Sequence, residues 1–265
     1  MKVNDWKDVI ALPVVGTRSK WGYGKLEEVL TEAILWCAVK CLRNNDGIIC
    51  TTLSGGLDSS FCLAIMRELL GYHIPIHTFT TGGSEKTPDI QFARIVSQRF
   101  KTIHHELIPN QQEIKKAQEQ LRFIWKDDPC SLGDVAVFLT YEHISQYGFV
   151  NVITHDGIDE LLGGYWEHRR HEDGQKKTRA FQSLWKRLEK EHLIPLERKA
   201  RHFSTLVILP YLQKNVVTYI TKIPLESRTT FDESKIPLRT IAKKYLPEEI
   251  IKREKKGFCS ALEEE

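Results

Sequence analysis

An apolar, β-branched run, Ile48 to Leu53, passes without a spacer into Ser54-Gly55-Gly56, and helical spacing then holds from Leu57 to Leu70 before Gly71. A strand that breaks on two glycines and restarts at once as a helix constrains the fold more than any other stretch of this chain. A short apolar run bounded by turn signals reads as a parallel strand buried on both faces. A helix leaving it directly is the first half of a βαβ unit. Upstream, the turn Asn44-Asn45-Asp46-Gly47 separates this strand from a helix over about Lys25 to Arg43, whose Leu26, Val29, Leu30, Ala33, Trp36 and Cys37 share one face.

The alternation continues downstream. Strands are expected over Ile74–Thr80, Thr102–Ile108 and Phe149–Thr154. Between them Thr87-Pro88 opens a helix to about Phe100, a second helix spans about Asn110 to Phe123, and Ser131 caps a third that runs to Tyr147 and stops at Gly148. Strands alternating with helices predict an α/β fold: a parallel, Rossmann-like sheet with helices on both faces. Beyond Gly164 only helical patterns are read, over about Thr178–His192, Tyr211–Thr221 and Leu238–Tyr245. They predict a helical C-terminal portion on the sheet's ligand end.

Composition narrows the class. Of 265 residues, 41% are hydrophobic and 28% charged, which fits a globular chain and not a disordered one. No apolar run approaches the ~20 residues of a membrane span, and the polar start MKVNDWKDVI is no signal peptide. None of the six cysteines forms a CxxC pair, so Cys37 and Cys41 are expected to pack in the core of a protein in a reducing, cytoplasmic compartment. The net charge of +3, carried by residues 151–265, suits an anionic ligand and is too weak to argue for nucleic acid.

The loop Ser54 to Ser60 carries the chemistry. It leaves the carboxyl end of a strand, where open α/β sheets bind ligands. Gly55 and Gly56 let backbone N–H groups approach an anion, the following helix dipole favours negative charge, and Ser54, Ser59 and Ser60 add hydroxyls. Asp58 would repel a phosphate unless a divalent cation lies between them, so it is a candidate Mg²⁺ ligand. The loop lacks the lysine of a Walker A sequence; the plainer alternative is a capped helix start. The fourth strand feeds a second loop, His155 to Tyr165, whose Asp156, Asp159 and Glu160 should gather near Asp58 and again imply a metal.

SGGLDSS resembles the PP-loop of the ATP pyrophosphatase group, and HDGIDELLGGY resembles the more specific SGEGSDELFGGY stretch of the synthetase domain of asparagine synthetases. Thr87 to Glu106 and the segment KIPLRTIAKKYLPEEIIKREKKGF are similar to further parts of that domain, with Asp89, His105, Arg253, Lys256, Gly257 and Phe258 on motif positions. The resemblance spans about residues 45–260. It implies an adenine nucleotide alpha hydrolase-like fold and an AMP-forming amide ligase that activates a carboxylate, aspartate in the first instance, as an acyl-adenylate for attack by ammonia. The implied cofactors are ATP and Mg²⁺, with metal on Asp58 and Asp159. Leu53, Ser54, Gly55, Gly56, Asp58, Ser59, Ser60, Thr81 and Thr154 are assigned to the nucleotide. Lys235 is assigned to the charge of the adenylation transition state and Asp156 to orienting the amine or accepting its proton.

Departures are present: Asp156 stands where the family has glutamate, His155 where it has glycine, and Ile158 where it has serine. Lys2 follows the initiator methionine and about 45 residues precede the first strand, so no glutaminase domain is expected in this stretch. Ammonia then comes free or from a separate subunit, or another amine is used; a homo-oligomer is left open. Rival readings are a ligase acting on a carrier-bound carboxylate, a tRNA base or an amino sugar, and a nucleotide-binding module without turnover. The expected organisation is an N-terminal arm and helix over 1–44, a nucleotide-binding core over 45–165, and a helical part over 166–265 that completes the site. His104 is expected to be packed or hydrogen-bonded, and His168 to His171 to form a mobile polar loop.

Overall fold

The computed structural model describes residues 3–16, 19–126, 130–254 and 262. A short 3₁₀ turn, Trp6–Asp8, precedes helix α1 (Tyr23–Asn44). There follow β1 (Ile49–Thr52), α2 (Leu57–Leu70), β2 (Ile76–Thr81), α3 (Pro88–Arg99), β3 (Ile103–Leu107), α4 (Gln111–Ile124), α5 (Leu132–Ser145) and β4 (Asn151–Ile153). The second half holds α6 (Ile158–Leu162), α7 (Trp166–Arg169), α8 (Gly174–Leu188), α9 (Ile194–His202), β5 (Leu206–Ile208), α10 (Lys214–Ile220), α11 (Leu225–Arg228), α12 (Ile236–Ala242) and α13 (Glu248–Lys252).

The five strands form one sheet in the order β3-β2-β1-β4-β5, and every neighbouring pair is parallel. Adjacent residues of each strand serve opposite layers. Ile49, Ile76, Ile153 and Ile208 face a core shared with α1, α2, α8 and α10. Cys50, Phe79 and Val152 face a second core with Tyr141 and Ile144 of α5 and Leu196 and Ala200 of α9. The central strands β1 and β4 are therefore covered on both faces, while the edge strand β3 is only partly covered. The α/β class, the parallel sheet and the two helical layers are as the sequence predicts.

Three elements differ from the expectation. β5 lies in the stretch read as helical only; three residues are too few to show a period, and they pair with β4 at the sheet edge. The helix expected to end at His192 continues through a π-helical turn, Glu189–Leu193, into α9. His168 is fully buried in α7, not part of a solvated loop. Its ring packs 4.2 Å from that of Phe181, and its Nδ1 accepts from the Tyr165 N–H at 3.3 Å. Cys37 and Cys41 are buried free thiols, as expected, pushed up by burial to about 12 and about 11. His104 is hydrogen-bonded to Thr78 at 2.8 Å.

Asn45, at the turn after α1, fixes β4 beside β1. Its Oδ1 accepts from the N–H groups of Val150 and Asn151 at 3.0 and 2.9 Å, and its Nδ2 donates to Asn151 O at 2.7 Å. Cutting it back to alanine removes the partner of two backbone donors, the Asn151 N–H among them buried, and leaves Asn151 O with only the weak Cys41 Sγ donor at 3.4 Å. Asn45→Ala is expected to lower unfolding free energy by about 2–3 kcal/mol in urea titrations; a change under about 0.5 kcal/mol would show that β4 is seated by other contacts.

Candidate functional site

β1 and β4 are neighbours although they are not consecutive, so the strand order reverses between them. Loops leaving both strand ends open a cleft at that point. The end of β1 is pinned first: Leu53 N–H donates to Phe79 O at 2.8 Å, and the Thr80 hydroxyl donates to Leu53 O. Gly55 then turns the chain with φ +68°, and a Cβ there would sit 2.3 Å from the Phe92 carbonyl carbon in the α3 backbone. Only glycine meets both conditions. Ser54 Oγ accepts from Gly56 N–H at 3.3 Å and lies 3.2 Å from Ser59 Oγ. Arg253, just past α13, donates to Ser54 O at 2.5 Å, pairs with the Asp89 carboxylate, and lies 4.7 Å over the Phe92 ring.

The second loop is seated by Thr154 N–H on Ile208 O at 2.9 Å. Gly157 turns it with φ +92°, where a Cβ would fall 2.4 Å from Leu212 Cδ2, and α6 begins. Asp159 lies in the first turn of α6 and Asp58 in the first turn of α2, where helix dipoles favour a carboxylate. Gly164 leaves space for Asp159: a Cβ there would fall 1.7 Å from its Oδ1. Tyr165 OH donates to Glu160 at 2.9 Å; burial and then the Glu160 charge push the phenol up, so it stays a neutral donor.

Lys235 closes the arrangement. It stands before α12 with φ +51°, a left-handed position that costs a non-glycine residue of order 1 kcal/mol. Its Nζ lies 2.6 Å from Asp58 Oδ2 and 2.7 Å from Asp159 Oδ1, and the side chain is only 3% exposed. Burial disfavours the ammonium, but the Asp159 and Asp58 charges outweigh it and raise the lysine above its ordinary range. Tyr211 OH supports Asp58 from behind by donating to its carbonyl at 2.7 Å.

These groups line a cavity of about 410 Å³. Leu53, Ser54, Gly56, Asp58, Ser59, Thr81, Thr154, Asp156, Asp159 and Lys235 are in its wall. Gly55 and Ser60 are not. Gly55 is turned onto α3, and Ser60 is fully buried with its N–H spent on Gly56 O at 3.0 Å. The placement of Ser60 removes its hydroxyl from the expected donor set. Lys256, Gly257 and Phe258 lie outside the described residues. Phe79, Tyr141, Glu191, His192 and Arg239 also line the cavity and were not read from the sequence; Pro195, interrupting a helical pattern, was the local sign of the irregular turn that brings in His192. Asp156 Oδ1 lies 2.6 Å from His192 Nε2. His155, beside it, is driven down to about 4 by burial, against the Asp156 charge.

Among the described residues no helix is long and apolar enough to cross a membrane, and no group of three or more His, Cys, Asp or Glu could by itself hold a metal.

The sequence profile described as asparagine synthase matches residues 29–207 and 175–265. A Methanocaldococcus jannaschii protein provisionally described as a glutamine-hydrolysing asparagine synthetase is 35% identical over 51% of this chain and 26% of its own length. The glutamine-hydrolysing asparagine synthetase of Gallus gallus is 26% identical over 79% of this chain and 39% of its own length. The chain thus spans well under half of the curated relatives it matches. Among solved structures, NMN synthetase from Francisella tularensis is similar at a TM-score of 0.46 and 14% identity, over 88% of this chain and 75% of that one.

Gly164→Ala tests how the site is packed. The new methyl cannot coexist with the Asp159 carboxylate where it stands, so the carboxylate must leave Lys235. A loss of about 1–3 kcal/mol is expected in thermal or urea unfolding. Unchanged stability, with Asp159 still on Lys235 in a crystal structure of the variant, would refute this account.

Proposed function

The chain belongs to the asparagine synthase family, and from that premise and its own cavity we propose that it is an ATP-dependent, AMP-forming amide ligase. The observation that carries the reading is the Lys235 ammonium held between Asp58 and Asp159 beside a glycine loop at the sheet's switch point. Two convergent carboxylates and a buried cation next to a phosphate-sized loop suit the breaking of a phosphoanhydride, where charge builds on the departing group.

In this reading ATP lies along the first loop. Backbone N–H groups near Gly56 and the α2 N-terminus take the phosphates, with the Ser54 and Ser59 hydroxyls beside them. Leu53, Phe79 and Val137 provide apolar wall for the base. A carboxylate oxygen, aspartate's in the first instance, attacks the α-phosphorus; the bond to the bridging oxygen breaks and pyrophosphate leaves. Lys235, kept protonated by its two carboxylates, supplies fixed positive charge for that step. An amine, ammonia in the first instance, then attacks the acyl carbon, and AMP departs.

Asp58 and Asp159 would also suit a magnesium ion. Their carboxylates converge on the place the Lys235 ammonium holds in this structure, so an ion bound there would displace Lys235 toward the phosphates; two carboxylates completed by phosphate oxygens and water are an ordinary donor set for it. Mg²⁺ held there would neutralise charge on the pyrophosphate. The amine is ammonia taken up free or handed over by a separate subunit, or another amine.

AMP and pyrophosphate release should require Mg-ATP, L-aspartate and ammonium together, each tested by omission, with asparagine as the product. Release with a different carboxylate or amine would redirect the substrate assignment. ATP binding without AMP formation across a panel of both would discard the ligase reading. Asp58→Asn and Lys235→Met are each expected to cut pyrophosphate release by about 100-fold or more; either variant turning over at the wild-type rate would remove that residue from the mechanism.

A further inference from the structure

His192 reaches the cavity because a helix is interrupted. α8 and α9 are joined by the π-helical turn Glu189–Leu193, and Pro195, which has no N–H to donate, follows at the start of α9. A π turn inserts a residue into helical register and is found disproportionately at functional sites. Here it sets Glu191 and His192 in the cavity wall. His192 is 45% exposed at its side chain and Asp156 20%, with Nε2 to Oδ1 at 2.6 Å. One end of the pair meets the cavity and the imidazole also meets solvent.

The two groups are suited to different tasks. Burial pushes the Asp156 carboxyl up, but the His192 charge and hydrogen bond pull it further the other way, to about 2. A carboxyl that releases its proton so readily is a poor acceptor for another. An imidazole that donates Nε2–H to this carboxylate has Nδ1 as its basic nitrogen. The other ionisable groups around the pair are His155 on the same loop, Tyr141 of α5, Glu191 beside His192, and Glu160 with Tyr165 across the cavity. His155 is neutral at pH 7, and the Tyr141 phenol is pushed up by burial, so neither competes as the base.

We propose that His192 accepts the proton released when the amine attacks the activated acyl group, and that Asp156 orients its imidazole. This rests on the ligase reading. As the N–C bond forms, the C–O bond to the AMP phosphate breaks and AMP leaves with that electron pair. The N–H electron pair stays on nitrogen and the proton passes to His192 Nδ1. Asp156 stabilises the imidazolium, which returns its proton to water at its exposed edge.

Two rates separate the outcomes: carboxylate-dependent exchange of labelled pyrophosphate into ATP, which reports adenylation, and amide formation, which reports both steps. In His192→Gln, amide formation is expected to fall about 100-fold at pH 8 while exchange changes less than about threefold. The ratio of wild-type to variant amide formation should rise with pH as the imidazole loses its proton; a ratio cancels the ionisation of the amine itself. Asp156→Asn should show the same division between the rates. Equal losses in exchange and amide formation, or a ratio flat with pH, would overturn the assignment of His192 and leave the ligase standing. No exchange in the wild-type protein with any carboxylate would overturn the ligase reading, and this proposal with it.

Discussion

A buried ammonium between two carboxylates organises the cleft. Lys235 and Asp58 are 177 positions apart in sequence, and Asp159 comes from a third segment. Each carboxylate sits at the start of a helix that leaves a different strand, and each would repel the other and resist burial. Lys235 gives both a partner, and they in turn keep it charged. Removing one member would leave buried charge uncompensated, a far larger penalty than the net worth of an exposed pair. The αL backbone at Lys235, the clearance at Gly164 and the Tyr211 hydroxyl under Asp58 all serve to hold these three groups together.

The sheet makes that meeting geometrically cheap. Because β1 and β4 lie side by side, loops far apart in the chain emerge at one edge. Asn45 secures the adjacency from the opposite end of the strands, so a turn residue at the bottom of the sheet bears on the separation of carboxylates at the top. Arg253 acts similarly from the far end of the described chain, joining the first loop to α3 through Ser54 and Asp89.

How much of this was legible depended on length and local signal. β1, β2 and β4 could be read because strands buried on both faces give apolar runs with glycine or asparagine turns at their ends. Asp58, Asp159 and the two glycine loops could be located because each follows such a run. The family resemblance brought in Lys235, whose side chain alone looks like any lysine before a proline turn. β5 was missed because Leu206–Ile208 is too short to display alternation. His168 was missed because a histidine among arginines looks solvated; the Phe181 ring from α8 and the neighbouring Tyr165 ring pack on it. Ser60 was placed in the donor set by its motif; the helical turn beneath it commits its N–H and faces it inward. His192 was invisible because it stood at the expected end of a helix that in fact continues.

The irregular turn before α9 has an evolutionary consequence. A π turn differs from an α turn by one inserted residue, and each residue of helix carries about 100° of rotation. Deleting a single codon within Glu189–Leu193 would remove the inserted residue and swing the local side chains around the axis, while the sheet and both glycine loops kept their places. The histidine on this wall of the cleft is thus separable from the nucleotide-facing wall by one insertion or deletion. Lineages sharing the same loops could therefore gain or lose it in a single mutational event, without passing through an unfolded intermediate sequence.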